Sequence, residues 1–418
     1  MPVGSFEEEN NKVGRKSNAV LKVLSDRKIK LIIIILLFIS PIIGMAVDLV
    51  APSLPAMGLT FGVSLKIIGN VIALYLLGYA IGNFITGFLT DAFGRKIFIR
   101  LALFLFVLFS LCPIVFSNIF VVLGVRFLQG LTLGAIAVVI RAILADVLLP
   151  EKLVKLGVVF GSMWGLGPVL GPVIGGYLQG YFGWKADFCF FAIVGFFLGI
   201  LVFCFIPETQ SLDNRHPLKL ENIRRNLKLV ISHRVFMSLV LIMGLAYSLL
   251  INFQTLGPFL IQNTWGHSPV YFGHVAFFLG CFFLLGTLVC RLFLNHFDSE
   301  QLFFCLIHGA LIITGFGLLL SLLFSQTIQI LILISCLMFF GTGFLFPMSM
   351  GTGMSLFRSI AGTATALMYL INVGLTGIFG FVIGFIKPVS SVPIIFLYFF
   401  IFCCLFLICW KGLAAKNN

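Results

Sequence analysis

The chain has 418 residues, of which 60% are hydrophobic and only 10% charged. A soluble domain carries roughly 25% charged residues, so this supply cannot clothe a water-facing surface. The formal charge of +13 is spread through short gaps between apolar runs, which argues against the single basic face of a nucleic-acid binder.

Residues 1–29 are polar and mixed in charge and read as a tail. The apolar run after them is too long for a signal-peptide core and has no small-residue cleavage site, so it reads as a retained first span. A bilayer crossing takes about 20 mostly apolar residues. Runs of that kind place spans at 30–56, 66–89, 97–116, 119–144, 154–180 and 186–207. After a polar stretch at 208–234, further spans fall at 235–262, 270–293, 301–322, 327–350, 359–386 and 391–411, followed by a tail at 412–418. The expectation is an all-α membrane protein of twelve transmembrane helices in two six-helix halves, 30–207 and 235–411. Large transporters are commonly built from such halves.

The basic residues orient the spans. Of the 27 Lys and Arg residues, all but Lys66, Lys185, Lys387 and the intramembrane Arg126 fall on the side of the N-terminal tail. This positive-inside bias predicts both termini in the cytoplasm. The ten cysteines lie nearly all in apolar runs and form no C-x-x-C pair, so small apolar packing is expected of them rather than metal binding. The polar stretch 208–234 is basic and holds no paired carboxylates or nucleophile–base pattern. That disfavours a membrane-embedded transferase and a signalling receptor alike.

Four segments stand out within this frame. Span 1 ends Asp48-Leu49-Val50-Ala51-Pro52-Ser53-Leu54-Pro55, and Asp48 is the only carboxylate well inside a predicted span. Desolvation favours the neutral form of such a group and a nearby cation its charged form, so it can load and release a proton. The alternative is a helix-end aspartate in water. The gap after span 2 reads Gly87-Phe88-Leu89-Thr90-Asp91-Ala92-Phe93-Gly94-Arg95-Lys96, a tight glycine-bounded turn. Asp91 can face the positive N-terminal end of another helix, and Arg95 can pair with Asp146 at the inner end of span 4, near Arg141.

Span 4 carries Arg126 about seven residues in, roughly 10 Å below the outer surface at about 1.5 Å per residue. An arginine there is costly unless paired or wetted, although snorkelling to the interface is also open to it. Span 5 carries Gly167-Pro168-Val169-Leu170-Gly171-Pro172-Val173-Ile174-Gly175-Gly176. Its small residues permit close helix approach and its prolines fix kinks, expected where spans 5 and 8 meet.

The loop after span 2 resembles the G-x-L-x-D-x-x-G-R-K signature of the major facilitator superfamily. The span 5 segment is similar to the motif of that family's antiporters, and the end of span 1 to the D-x-x-x-P-x-L-P ending of its Bcr/CflA branch of drug exporters. Gly341-Thr342-Gly343-Phe344-Leu345-Phe346-Pro347 in span 10 fits the same branch. Met348 stands where an Asn is frequent, and Ser40 where some relatives have a second acid.

The resemblance implies a monomeric proton-coupled antiporter in a bacterial inner membrane, with protons as coupling ion and no other cofactor or metal. Its partners would be the lipid bilayer and a small amphipathic substrate such as a drug or antibiotic; a narrow-specificity metabolite or siderophore is the alternative. It assigns Asp48 and Arg126 to proton coupling, and Gly87, Asp91, Gly94, Arg95, Lys96, Arg141 and Asp146 to conformational gating, with Asp91 facing the start of span 11. The second half has no carboxylate at depth. Neutral residues therefore supply the candidate cavity: Tyr75, Tyr79 and Gln129 from the first half, and Tyr247, Asn252, Tyr369 and Asn372 from the second. Helix–helix hydrogen bonding is an equal alternative for each of these.

Overall fold

The computed structural model describes residues 25–210, 220–294, 296–324, 326–357 and 360–412. The expected tails at 1–29 and 412–418 lie almost wholly outside these, as does the side chain of Asp91. Among the described residues twelve long helices succeed one another. In the first half they are α1 (Asp26–Asp48), α2 (Asn70–Phe93), α3 (Arg95–Val115), α4 (Ile119–Val147), α5 (Pro150–Phe182) and α6 (Lys185–Phe205). In the second they are α7 (Arg234–Pro258), α8 (Pro269–Phe293), α9 (Ser299–Leu323), α10 (Ile328–Ser355), α11 (Ala361–Ile383) and α12 (Val392–Gly412). Among the described residues, eleven helices meet both the length and the hydropathy of a membrane span. Phe104, Phe196, Leu322 and Phe400 point outward and exposed, an apolar belt that lipid would cover. We call the end where α1 starts and α12 finishes the tail end, and the opposite one the far end.

Two stretches differ from the hydropathy expectation. Span 1 is not one helix to residue 56. It stops at Asp48, turns through a 3-10 segment at Ala51–Ser53 and resumes as Leu54–Phe61, because Pro52 and Pro55 cannot donate backbone hydrogen bonds. The polar stretch 208–234, expected to be a loop, contains a helix at Leu220–Ile231. Ile223, Leu227 and Val230 recur at helical spacing; Val230 is buried against α7 and α11, while Arg224, Arg225 and Lys228 are exposed. A hydropathy scan misses it because only one face is apolar.

Glycine carbons set the tightest contacts. Between α2 and α4, a Cβ on Gly78 or Gly130 would lie 2.0 Å from Phe127 O or Tyr75 O respectively, and Gly82 and Gly134 are similarly crowded. The second half repeats the arrangement between α8 and α10, where Gly286 meets Phe340 O and Gly343 meets Phe283 O. Helices in lipid gain little from apolar association, so close backbone approach is what holds them. The two halves touch mainly through α2 against α11 and α5 against α8. At the far end they are further tied by Gln262 Nε2, which donates to Pro52 O at 2.9 Å, and by Lys66 Nζ, 4.4 Å from the centre of the Phe385 ring.

Replacing Gly130 with Ala should destabilise the protein by about 1–3 kcal/mol through overpacking. Gly124→Ala, on the same helix with nothing within 4 Å, should not. Thermal unfolding of the two purified variants in detergent checks the contrast.

Candidate functional site

Asp48 closes α1 and is 2% exposed, and its Oδ2 has no hydrogen-bond partner. It is packed in by α5, where a Cβ on Gly171 would lie 3.2 Å from Asp48 Cβ, and one on Gly167 or Gly175 would strike the backbone at Gly44 or Leu49. These three glycines, spaced by four, form one face of α5 turned to α1. The neighbouring register faces α8: Gly273 of α8 packs on Pro172 O, Gly280 on Val169 and Pro168 O, and Gly176 on Pro269. The sequence expectation placed the whole motif between spans 5 and 8. Half of it instead seats α1 and its aspartate.

Arg126 is fully buried. Its Nε donates to Val71 O at 3.2 Å, Nη2 to Ala46 O at 2.9 Å and Nη1 to Gln129 Oε1 at 3.1 Å. Its guanidinium lies 4.4 Å over the Tyr75 ring. Snorkelling is therefore not its solution; carbonyls of α1 and α2 substitute for water. No ion pair joins Arg126 to Asp48 among the described residues. A second carboxylate, Asp187, three residues into α6, is likewise fully buried, and its Oδ2 accepts from Ser53 Oγ at 2.5 Å. Asp187 corrects the reading of Asp48 as the only deep acid. Its place just inside the start of span 6 was visible, but the turn at Ser53 that covers it was not.

A small cavity of about 20 Å³, room for about one water, lies between the halves beside this group. Ile43, Gly44 and Val47 of α1 and Tyr75, Leu76 and Tyr79 of α2 form one wall. Tyr247 of α7, Phe346 of α10, and Tyr369, Asn372 and Val373 of α11 form the other. Of the expected cavity residues, Tyr75, Tyr79, Tyr247, Tyr369 and Asn372 line this space, and Gln129 and Asn252 do not. Gln129 links Arg126 to Ser110, donating to Ser110 Oγ at 2.8 Å. Asn252 donates to Ile394 O of α12 at 3.0 Å and serves as a helix tie. Arg141, expected with the gating loop, packs on a residue of the cavity wall without lining it: its guanidinium lies 4.6 Å over Tyr369, and Nη2 donates to Asn83 Oδ1 at 3.2 Å. It stands about 7.5 Å along the helix from Asp146 at about 1.5 Å per residue, which separates their surroundings.

The turn between α2 and α3 is built at Gly94, whose φ of 100° suits glycine. Arg95 Nε lies 3.3 Å from Asp146 Oδ2, the pairing expected from the sequence. The Lys96 side chain is half-buried and its backbone N–H, with that of Arg95, donates to the Glu208 carboxylate at 3.3 and 3.0 Å. Glu208 therefore caps the positive N-terminus of α3, and Thr209 Oγ1 donates to Asp146 Oδ2 at 2.9 Å. These two residues were missed; a Pro207-Glu208-Thr209 sequence leaving span 6 was the available signal. A Cβ on Gly87 would lie 3.8 Å from Ala366, so α2 nears α11 here. Both Asp91's side chain and Ser359 lie outside the described residues. No group of three or more metal-ligating side chains occurs among the described residues.

Comparison with known proteins agrees with this architecture. Residues 36–381 match the Major Facilitator Superfamily, and the chain belongs to that family. It is a multi-pass membrane transporter and not an enzyme. It is 26% identical to "Uncharacterized MFS-type transporter YdgK" of Bacillus subtilis (strain 168) over 83% of this chain and 86% of that protein. It is 24% identical to "Multidrug resistance protein MdtL" of Shewanella oneidensis, over 84% and 87% of the two. A "Bicyclomycin resistance protein homolog" of Haemophilus influenzae is 27% identical over 60% of this chain and 61% of its own length. The solved D-xylose-proton symporter shares the fold with a TM-score of 0.73 at 16% identity, covering 92% of this chain and 98% of that one.

Gln129→Leu should leave Arg126 Nη1 without its acceptor and cost about 1–3 kcal/mol, the penalty of a buried unsatisfied donor. Asn252→Leu at the helix tie frees only a backbone carbonyl and should cost less. Thermal melts of the two variants, read side by side, check the order.

Proposed function

We propose that the protein is a proton-coupled antiporter of the Bcr/CflA type, exporting small amphipathic compounds such as drugs or antibiotics. The observation that carries this is Asp48: a buried carboxylate with an unpartnered oxygen, one residue past Val47 in the wall of a cavity between two helical halves. A proton on Asp48 removes an isolated charge from an apolar site; water access in the other state of the carrier releases it. Substrate and proton then compete for states of one carrier, which is the requirement for exchange. The names of the multidrug and bicyclomycin-resistance relatives support this reading.

The lining of the cavity, which must widen to admit a substrate, favours amphipathic cargo. Its walls are aliphatic and aromatic, and its polar atoms are tyrosine hydroxyls and the Asn372 amide. A second reading, a narrow-specificity metabolite carrier, has one observation in its favour: the Arg141 guanidinium stacked on Tyr369 at the wall would suit an anionic group. The bias of Lys and Arg toward the tail end supports placing that end in the cytoplasm of a bacterial cell, with the protein in the inner membrane. We read the functional unit as a monomer, since one chain encloses the whole cavity.

Proteoliposomes with an imposed pH gradient, loaded in turn with ethidium, chloramphenicol and 4-hydroxybenzoate, test the proposal. Gradient-driven movement of one or more compounds is expected, falling to the protein-free background in Asp48→Asn. Gradient-driven transport that persists in this variant would remove Asp48 as the proton site. Movement of 4-hydroxybenzoate alone would favour the metabolite carrier.

A further inference from the structure

A larger cleft, of about 490 Å³, lies away from the space between the halves, at the tail end of the first half. It is lined by Phe93 at the end of α2, by Lys96, Ile97, Arg100 and Leu101 of α3, and by Glu208 beyond α6. α3 packs mainly against α4 and α6. Its outer face carries Ile97, Leu101, Phe104 and Leu108, all exposed. These positions recur every three or four residues, so they form one apolar stripe that runs from the cleft along the helix. Lys96 and Arg100, one turn apart, stand beside the beginning of that stripe. With 21 residues α3 is about one bilayer crossing long, which puts its first turns at the level of the lipid headgroups.

The two cations are left over by the protein itself. Among the described residues neither Lys96 nor Arg100 forms an ion pair with a carboxylate. The Arg100 guanidinium lies 4.4 Å over the Phe203 ring and its Nη2 donates to Phe203 O, while Nε has no partner. Glu208 brings a carboxylate to the lining, but both of its oxygens accept from backbone N–H groups: Oε1 from Arg95, Thr209 and Gln210, Oε2 from Lys96. The cleft therefore offers positive charge beside an apolar track, which suits an anion with a hydrocarbon tail. A headgroup bearing an ammonium would set a third cation against Lys96 and Arg100, so charge complementarity favours one without it. We propose that this cleft binds one anionic phospholipid of the tail-end leaflet, its phosphate held by Lys96 and Arg100 and an acyl chain laid along Ile97, Leu101 and Phe104. Because Glu208 and the Lys96 backbone also build the turn between α2 and α3, a lipid seated there braces that turn.

Native mass spectrometry of the delipidated full chain in detergent, titrated with phosphatidylglycerol, phosphatidylethanolamine or glycerol 3-phosphate, tests the site. Phosphatidylglycerol should bind first and about tenfold more tightly than phosphatidylethanolamine. Lys96→Gln and Arg100→Gln should each weaken that first lipid by about fivefold, the contribution of one cation near an anionic lipid surface. Arg100→Lys, which keeps the charge, should lose less. Arg225→Gln, removing an exposed cation from the Leu220–Ile231 helix that packs on α7 and α11, should change nothing. If Arg100→Gln fails to fold, Lys96→Gln decides, since the Lys96 side chain makes no polar contact among the described residues. Equal affinity for the two lipids, or a first affinity that Lys96→Gln leaves unmoved, overturns the proposal. So does displacement of the lipid by glycerol 3-phosphate, which would mark a site for a soluble anion.

Discussion

A guanidinium held among helices in a membrane must find acceptors in the helices themselves, and Arg126 imposes this condition on the whole first half. Left unsatisfied near the bilayer centre, an arginine costs about 2.5–3.5 kcal/mol on insertion scales. Val71 O and Ala46 O meet the demand, but only because α1 and α2 run close enough to α4 to present them. For α2 the approach is permitted by the glycines at 78, 82, 130 and 134, whose Cβ atoms would overlap the facing carbonyls. For α1 it is secured from behind by Gly167, Gly171 and Gly175 of α5. The glycine spacing, the helix seams and the buried charge are thus one construction.

The same construction explains what could be read from the sequence. Span count and the Arg95–Asp146 pair were legible because each depends on runs and motifs local to the chain. Residues whose meaning depends on a neighbouring helix were not. Gln129 looked like a cavity residue, yet it stands three positions after Arg126 and so on the same helix face; the spacing was available, and the missing datum was which way that face points. Asn252 posed the same ambiguity and resolved toward α12. Asp187 was hidden for a different reason. An acid in the first turn of an apolar helix is ordinarily wet, and only the proline-driven break in α1 brings Ser53 over it.

The proline–glycine run of α5 shows how one stretch can serve two partners. Positions 167, 171 and 175 share a face, and 168, 172 and 176 share the next one around the helix. The first set seats α1 and Asp48; the second seats α8 of the other half. Movement between the halves along the α5–α8 seam is therefore felt one residue away at the wall that confines Asp48. Under the antiporter reading, a proton at Asp48 would bias the relation of the halves through this rigid element packed on both.

The second half contributes no acid to the cavity, and the two cations nearest it are screened. Tyr75 and Tyr369 each carry a guanidinium on one ring face, at 4.4 and 4.6 Å, and each also lines the cavity. A ring in that position spends its negative face on the arginine, so what remains toward the cavity is its edge and hydroxyl. A compound entering there meets aromatic edges and amide groups before it meets charge. Under the antiporter reading this is the useful arrangement. A bare buried cation would hold an anionic cargo too firmly for release, whereas a screened one orients a polar tip while the apolar body packs against Ile43, Val47 and Phe346. The specificity of the carrier would then depend on how far a substrate can displace Tyr369 from Arg141. Under that reading the buried Arg126, covered by the Tyr75 ring, would stay out of the substrate's reach.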